Sequence, residues 1–391
     1  MQLSVIIISY NVKYFLEQCL HALVKATAAL DAEVFVVDNA SADGSVPYLQ
    51  PVFPSVHFIQ NIRNSGFGTA NNQALQTATG KYILFLNPDT ILAEDSLTTC
   101  IRFMETRVDA GACGVRMIDG SGRFLPESKR GFPSLKTSFY KLSGLAALFP
   151  ASKHFARYYL GHLPERQNGE VDVLAGAFFF TRREVLQQTG GFDEAFFMYG
   201  EDIDLSYRIQ QAGYENYYLA QTSIVHFKGE STKKQSPQAI RHFYGAMEIF
   251  VKKHYKGIEA TLFSFFIQGL TRLRLLGRSR NKTAHASPGK PARTIHTLIA
   301  GDAQGCKEAG SILSRYPDRR VSTAGADADL SVIIREQRVD EVVFCEGRLS
   351  FKQIIQWMQT LPAAISFRIH AAGSGSIVGS GRKDMQGSVL S

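Results

Sequence analysis

Cysteine is scarce in this sequence, and its placement limits what the chain can be. The five cysteines among 391 residues stand far apart and form no Cys-x-x-Cys pair. This spacing argues against a disulfide framework and a cysteine-based zinc site, and it predicts a reducing cytoplasmic location. The N-terminus has no basic segment before its first apolar run, so we expect no signal peptide.

Most of the chain carries no excess of basic charge, although the formal net charge of the whole sequence is +8. Ten Lys or Arg and one acid lie between Lys252 and Arg293, so the rest of the sequence carries about −1. The high isoelectric point therefore describes one segment, and we expect no nucleic-acid partner. With 45% hydrophobic and 20% charged residues, the composition is that of a globular protein with room for two domains.

Three apolar segments in the first 90 residues are typical of buried strands in a parallel sheet: Leu3–Ser9, Glu33–Val37 and Tyr82–Leu86. Each is followed by polar residues, and open α/β sheets bind ligands at the carboxyl ends of their strands. The residues at these three ends are Ser9, Tyr10, Asn11, Asp38, Asn87 and Asp89. Asp89, in a turn stiffened by Pro88, could hold a divalent cation against a diphosphate, or it could cap the helix predicted over Ala93–Arg107.

A glycine-containing loop enters a helix at 61–72, and it includes Asn64, Gly66 and Asn71. Glycine lets the backbone approach a ligand closely, and the start of a helix offers free N–H groups to a phosphate. A lone Gly-x-Gly is a weak signal, and an ordinary loop is the alternative.

Three carboxylates fall within four residues at Glu201, Asp202 and Asp204. The helical spacing of the apolar residues that follow predicts that a helix begins at Asp202. A carboxylate there is well placed to act as a general base, although Asp202 could equally be an N-cap and Asp204 a solvated acid of the first turn. His226 ends an apolar strand; it is a candidate ligand because the carboxylates before it also lie at strand ends.

Six segments in this order resemble glycosyltransferase family 2, the inverting GT-A class, and in particular its bacterial rhamnosyl- and galactofuranosyl-transferase-like members. They cover roughly residues 1–250. The segments are SVIIISYN (4–11), VVDNASADGS (36–45), NSGFGTANNQA (64–74), LNPDT (86–90), 175–208 and the strand that ends at His226. The resemblance implies a GT-A fold, which is a Rossmann-like, mostly parallel sheet flanked by helices.

The resemblance also implies a role for each candidate residue. Asp202 matches the catalytic base, and Glu201 and Asp204 are expected to orient the acceptor or the base. Asp89 and His226 match the ligands of Mn²⁺ or Mg²⁺, with Asn87 in place of the first acid of an Asp-x-Asp motif. The residues expected to bind the nucleotide sugar are Ser9, Tyr10, Asn11, Asp38, Asn64, Gly66, Asn71, Asn87 and Asp89.

The implied activity is transfer of a sugar from a nucleotide donor (dTDP-rhamnose-like or a UDP-sugar) to a lipid-linked or polysaccharide acceptor in cell-surface glycan assembly. Two alternatives remain. A sugar nucleotidyltransferase would need a Gly-rich, basic loop after the first strand, which 9–12 does not provide. A nucleotide-sugar-binding subunit without activity would follow from the loss of the first metal acid at Asn87.

The remainder of the chain is predicted to contain an amphipathic basic helical segment (251–278), a linker (279–293) and a small Rossmann-like accessory domain (294–391). An apolar stripe of Leu262, Phe266, Leu270 and Leu273 is too interrupted for a transmembrane helix. It suits either contact with the inner face of an anionic cytoplasmic membrane or packing on the catalytic domain. We expect the segment Gly373–Ser391 to be poorly ordered, and removal of 294–391 to leave catalysis intact.

Overall fold

The computed structural model describes residues 1–227, 237–280, 294–380 and 387–391. Its strands form two sheets, which confirms the predicted α/β class with a second, smaller sheet. The strands of the first sheet are β1 (Leu3–Ser9), β2 (Ala32–Asp38), β3 (Val56–Gln60), β4 (Tyr82–Leu86), β5 (Thr90–Leu92), β6 (Ala110–Ile118), β7 (Gly169–Val171), β8 (Phe178–Arg182) and β9 (Glu215–His226). The strands of the second are β10 (Ile295–Gly301), β11 (Arg319–Gly325), β12 (Glu341–Cys345), β13 (Ser366–His370), β14 (Ile377–Gly379) and β15 (Ser388–Leu390).

The helices that accompany the first sheet are α1 (Lys13–Thr27), α2 (Ser45–Leu49), α3 (Phe67–Leu75), α4 (Ser96–Thr106), α5 (Leu135–Leu142), α6 (Leu145–Leu148), α7 (Arg183–Thr189) and α8 (Glu201–Gln211). Two long helices follow, α9 (Pro237–His254) and α10 (Gly257–Arg280). The helices of the second sheet are α11 (Ala303–Leu313), α12 (Leu330–Gln337) and α13 (Phe351–Thr360). Short 3₁₀ turns lie at Pro126–Ser128 and Arg157–Tyr159.

The order of the first sheet brings the predicted site residues to one edge. Its strands run β3-β2-β1-β4-β8-β6-β9-β5, with β7 beside β9. Strands β1 to β4 are parallel, so their carboxyl ends lie together, and β8 runs antiparallel to β4 and begins at that same edge. Strand β9 ends there as well, where His226 pairs with Thr90 of β5. This topology gathers polar residues that are more than 200 positions apart in the sequence.

Two predicted boundaries need correction. The boundary between residues 250 and 251 falls inside α9, whose buried Phe250 and Val251 continue one apolar face. In the segment Gly373–Ser391, the described residues 373–380 and 387–391 are not generally loose, because Ser376 is fully buried and both β14 and β15 belong to the second sheet. The predicted linker lies, apart from residues 279 and 280 in α10, outside the described residues.

One apolar cluster is shared by the two sheets. It joins Phe15 of α1 and Phe227, which follows β9, to Phe344, Phe351 and Met358 of the C-terminal region. All five side chains are at most 5% exposed. The C-terminal region is therefore built onto the first sheet by a common core, and the two regions do not have fully separate cores.

The α10 helix carries apolar residues on two faces. Phe263 and Ile267 are buried against Val251 of α9, whereas Ile258, Leu262 and Phe265 are 79%, 54% and 68% exposed. The predicted stripe packs in part: Phe266 lies against the cluster of Val251, Phe263 and Ile267, whereas Leu262 is exposed. No helix in the described part of the chain is long and apolar enough to span a bilayer.

Candidate functional site

A cavity of about 430 Å³ opens at the edge where β1, β4 and β9 end. Its walls come from the strand ends, from the loop before α3, from the start of α8 and from the segment between β6 and α5. The predicted site residues that line it are Tyr10, Asn64, Gly66, Asn87, Asp89, Glu201, Asp202 and His226. The predicted residues outside its lining are Ser9, Asn11, Asp38, Asn71 and Asp204.

Asp89 and His226 form a buried carboxylate–imidazole pair in this cavity. Asp89 Oδ1 lies 3.3 Å from His226 Nε2, and the Asn87 amide lies 3.5 Å from the same nitrogen. The pair is held by the backbone, since the N–H of Phe227 donates to the Asp89 carbonyl at 3.0 Å. Asp89 therefore does not serve as a helix cap; the three-residue strand β5 separates it from α4.

The donor set of this pair fits a divalent cation. Carboxylate oxygen and imidazole nitrogen are ligands that suit Mn²⁺, and the oxygen also suits Mg²⁺. The described residues contain no group of three or more His, Cys, Asp or Glu side chains arranged to hold a metal. Of the His, Cys, Asp and Glu side chains in the described residues, Asp89 and His226 would hold a cation here, so its other ligands would have to come from elsewhere, such as a bound diphosphate and water.

Asp202 is fixed at the start of α8 by three hydrogen bonds. Its Oδ2 accepts from the Arg130 guanidinium at 2.5 Å and from the Gly176 N–H at 3.1 Å, while Oδ1 accepts from the Ile203 N–H at 2.8 Å. The helix begins one residue earlier, at Glu201, after Gly200 in a left-handed conformation (φ 83°). Asp202 is thus a residue of the first turn, and its interpretation as the N-cap is corrected.

Glu201 is a buried acid beside Asp202. Its side-chain Oε2 has no hydrogen-bond partner within the described ranges, and only 7% of the residue is exposed. Burial, together with the neighbouring charge of Asp202, raises the pKa of Glu201 to about 8. At neutral pH this carboxyl group holds its proton, so the cavity wall offers one neutral and one charged acid side by side.

A segment of the sheet links the two halves of the cavity. The Gly176 N–H donates to Asp202, and the next carbonyl, that of Ala177, accepts from the Asn87 N–H at 3.0 Å. A Cβ atom at Gly176 would lie 3.5 Å from the Cβ of Asp202, an ordinary contact distance. Two residues therefore connect the turn that carries Asn87 and Asp89 to the carboxylate on α8.

The family comparison agrees with this site. A model of glycosyl transferase family 2 matches residues 4–190. Residues 4–190 are a glycosyltransferase family 2 domain. The match includes the strand ends with Asp38 and Asp89, and α8 and β9 follow it directly in the chain.

Related proteins extend the similarity beyond this domain. The chain is 27% identical over 284 residues to the N-acetylglucosaminyl-diphospho-decaprenol L-rhamnosyltransferase of Mycobacterium tuberculosis, covering 70% of this chain and 91% of the relative. It is 30% identical over 183 residues to rhamnosyltransferase WbbL of Escherichia coli, covering 45% of this chain and 66% of the relative.

Solved structures show a more distant similarity. Mannosyltransferase PcManGT from Pyrobaculum calidifontis, in complex with GDP-Man and Mn²⁺, is 17% identical, with a TM-score of 0.45 and coverage of 81% of each chain. TarS of S. aureus (residues 1–349) is 19% identical, with a TM-score of 0.44 and coverage of 72% of this chain and 74% of that one.

Around the family 2 domain, Asp204 has contacts that place it outside the cavity. Its fully buried carboxylate lies 2.7 Å from Arg208, 2.8 Å from Lys253 and 2.6 Å from His254. Although burial opposes ionisation, hydrogen bonds with Lys253 and His254 and the charge of Arg208 hold the pKa of Asp204 below its ordinary value. Asp204 thus ties α8 to α9, and the expectation that it orients the acceptor or the base is not supported by its position.

The predicted nucleotide residues behind the cavity shape the loops. Asp38 Oδ2 accepts from the Ser41 N–H at 2.9 Å, and Asn11 (φ 55°) accepts from the Ala42 N–H at 2.8 Å. Ser9 is fully buried at the end of β1, and Asn71 donates to the Phe67 carbonyl at 2.9 Å. These contacts fold the loop after β2 back over the end of β1.

Gly66 is required by its position in the family 2 domain. Its φ of 88° is left-handed, and a Cβ atom there would lie 2.6 Å from the Phe197 carbonyl oxygen. The Asn64 side chain accepts from the Gly66 N–H at 3.0 Å, and Asn39 donates to the Gly66 carbonyl at 3.0 Å. Asn39 lines the cavity and was not among the predicted residues.

Other cavity residues missed by sequence reasoning come from the region 114–173 and from the aromatic segment before α8. They are Glu127, Arg130, Tyr158, Tyr159, Met198 and Tyr199. The segment 129–166 is rich in basic and aromatic residues, but this composition gives no spacing from which to select individual residues. Arg130 could only have been found from its contact with Asp202, which lies 72 positions away.

Proposed function

We propose that this protein is an inverting, metal-dependent glycosyltransferase. It transfers a sugar from a nucleoside-diphosphate sugar, with dTDP-rhamnose-like and UDP-sugars as the candidate donors, to a hydroxyl group of a lipid-linked or polysaccharide acceptor. The observation that carries this proposal is that one cavity contains both the Asp89–His226 pair and the Glu201–Asp202 pair. The acceptor class follows the rhamnosyltransferase from M. tuberculosis, whose name specifies a lipid-linked substrate.

The first pair accounts for donor binding. Asp89 and His226 would hold the Mn²⁺ or Mg²⁺ ion, which supplies charge neutralisation for the diphosphate leaving group. Asn64, Gly66 and Asn39 hold the loop that borders the cavity beside them. Nucleoside binding is assigned to Tyr10 and to the loop shaped by Asn11 and Asp38.

The second pair accounts for activation of the acceptor. Asp202 is the base that removes the proton from the acceptor hydroxyl, and Arg130 and the Gly176 N–H hold it in one orientation. Glu201, protonated at neutral pH, can donate a hydrogen bond to a sugar hydroxyl. Attack by the deprotonated hydroxyl on the face opposite the diphosphate inverts the anomeric carbon, and no covalent enzyme intermediate is needed.

An Asp202→Asn variant tests the assigned base. We expect at least a ~100-fold loss of the transfer rate, the lower range for removing a general base, with nearly unchanged nucleotide binding. The matched control is Asp193→Asn, which loses a surface ion pair with Lys253 outside the cavity. Substantial transfer by Asp202→Asn would remove Asp202 from this role.

A binding panel tests the donor site. Purified protein is titrated with nucleoside diphosphates and their sugars, with and without Mn²⁺ or Mg²⁺. Metal-dependent preference for one nucleotide supports the proposal and identifies the donor class. Binding that ignores metal would favour the inactive-subunit alternative associated with Asn87, and absence of binding would contradict a transferase.

We also propose that the enzyme works at the cytoplasmic membrane face. Ile258, Leu262 and Phe265 form an exposed apolar face on α10, and Lys252 and Lys256 precede it. An apolar face with basic neighbours suits peripheral contact with anionic lipid. Sedimentation with anionic vesicles should weaken in a Phe265→Ser variant. Equal binding by that variant and by wild type would contradict this placement.

A further inference from the structure

The C-terminal region makes its polar contacts with the family 2 domain directly behind the cavity. Glu94, two residues after β5, accepts hydrogen bonds from the N–H groups of Phe351 and Lys352 at 2.6 and 2.9 Å. Lys352 in turn forms a 2.7 Å ion pair with Asp95. A side chain of the first region therefore caps α13, a helix of the second, where free N–H groups favour a carboxylate.

A second set of contacts reaches α1. Gln18, fully buried, accepts from the Ala371 N–H at 2.8 Å and donates to Ser374 at 2.8 Å. Glu17 accepts from the Ser376 hydroxyl at 2.5 Å. Helix α1 follows the end of β1 and begins two residues after Asn11. The segment 371–376 therefore holds the helix that lies next to this strand end.

Apolar packing continues this contact to the end of β9. The Phe227 ring lies 5.3 Å from that of Phe15, and both belong to the core shared with α13. A Cβ atom on Gly120 would meet both Ser380 and Phe227, and one on Gly122 would overlap the Met358 carbonyl. The backbone of the first region thus approaches the C-terminal region as closely as glycine permits.

These contacts lie next to β5 and β9, the two strands that border Asp89 and His226. Strand β5 has only three residues, with Asp89 before it and Glu94 after it. In the described part of the chain, its strand partner is the end of β9, where His226 is followed by Phe227. A three-residue edge strand has few ladder bonds of its own, so its position depends on what packs against it.

We propose that the C-terminal region is a positioning element for Asp89 and His226, and that Glu94 is the positioning residue that couples the two. This proposal rests on the proposed function in one respect, namely that Asp89 and His226 bind the donor. The expectation that removal of 294–391 leaves catalysis intact is replaced: deletion would expose the shared core and release the β5–β9 pair.

The test compares two caps in the full-length chain. Glu94→Ala removes a carboxylate that accepts two N–H groups at the start of α13. Asp329→Ala removes a similar cap at the start of α12, where the exposed Asp329 accepts from Ser331 and Val332. Both variants lose a cap within the C-terminal region, but only Glu94 joins that region to β5.

Amide hydrogen exchange gives the first readout. We expect exchange of the segment 90–92 and of the Phe227 amide to rise about tenfold in Glu94→Ala, the effect of one lost cap, and to stay near wild type in Asp329→Ala. Glu94→Gln keeps one acceptor and should lie between, which preserves the test if Glu94→Ala does not fold. Equal exchange in Glu94→Gln, Asp329→Ala and wild type would overturn the proposal.

Metal-dependent nucleotide binding gives the second readout. The Mn²⁺ concentration for half-maximal binding of a nucleoside diphosphate should rise about tenfold in Glu94→Ala only, as for residues that orient metal ligands. An unchanged value together with faster exchange would limit Glu94 to stability and refute positioning. If wild type binds no nucleotide, the proposed function fails, while the exchange result still decides whether the C-terminal region fixes the strand pair.

Discussion

The carboxyl ends of the two sheets differ in how their polar atoms are satisfied. At the first sheet, buried atoms of Ser9, Asp38, Asn71, Glu201 and His226 have no hydrogen-bond partner within the described chain. At the second, the corresponding strand ends are closed by their own side chains. Asp302 accepts from the N–H groups of Gly305 and Arg348, Glu346 accepts from that of Ala372, and His370 contacts the Ser376 carbonyl.

This difference shows why two sheets of similar topology need not share a role. Buried polar atoms cost free energy unless they are paired, so the unpaired atoms of Glu201 and His226, which line the cavity, indicate partners supplied by a ligand. At the second sheet, the polar groups at the equivalent strand ends make hydrogen bonds within the protein. In the loop after β10, the Asp302 carboxylate caps α11 by accepting from the Gly305 N–H at 2.8 Å.

The largest effect expected from this comparison is at Asp89. An Asp89→Ala variant should lose at least ~100-fold in Mn²⁺-dependent affinity for the nucleoside diphosphate, since several kcal/mol of charge stabilisation depend on the ion. Isothermal titration with and without metal measures this. Retention of metal-dependent binding would show that the cavity at the carboxyl edge of the first sheet is not the donor site.

A smaller effect is expected at Glu201, and it depends on pH. Its pKa of about 8 in the folded protein is above the ordinary value of 4.5, so the native state retains a proton that the unfolded chain releases. Folding stability should therefore fall as pH rises between these values, by about 1.4 kcal/mol per pH unit from this group. Denaturant unfolding of Glu201→Gln should show a flatter dependence over pH 5–8. An identical slope in wild type would mean that Glu201 is ionised.

The smallest effect is expected at the carboxyl edge of the second sheet, where the polar groups are hydrogen-bonded within the protein. Asp302→Ala removes the cap of α11 and should lower the free energy of unfolding by about 1 kcal/mol, without changing nucleotide affinity. Chemical denaturation and the same titration provide both values. A change in nucleotide affinity would contradict the conclusion that the carboxyl edges of the two sheets have different roles.

The sequence predicted those parts of the fold that depend on apolar runs. Strand β4 was predicted with its observed bounds, and β1 likewise, because both are continuous buried segments. Strand β11 was missed because Arg319 and Arg320 begin it and most of it is exposed. The three residues of β5 were not predicted as a strand; they lie just before the helix predicted over Ala93–Arg107, and so short a strand has no period of its own.

The site was predictable where its residues follow strands, and unpredictable where tertiary contacts bring them in. Asp89, Asp202 and His226 stand at recognisable ends of elements. Arg130 and Asn39 line the cavity because of hydrogen bonds made across the fold, and no local pattern marks them. Asp204 shows the opposite error, since its position in the motif matched a functional acid while Lys253 and His254 of α9 enclose it.

The contacts of Gln18 with residues 371–376 have a consequence for synthesis of the protein. The ribosome makes α1 near the beginning of the chain, but its partners for these buried hydrogen bonds are made more than 350 residues later. A nascent chain that already contains Asp89, Asp202 and His226 therefore still lacks the support behind them. Any chain truncated before residue 371 would lack these hydrogen bonds to α1.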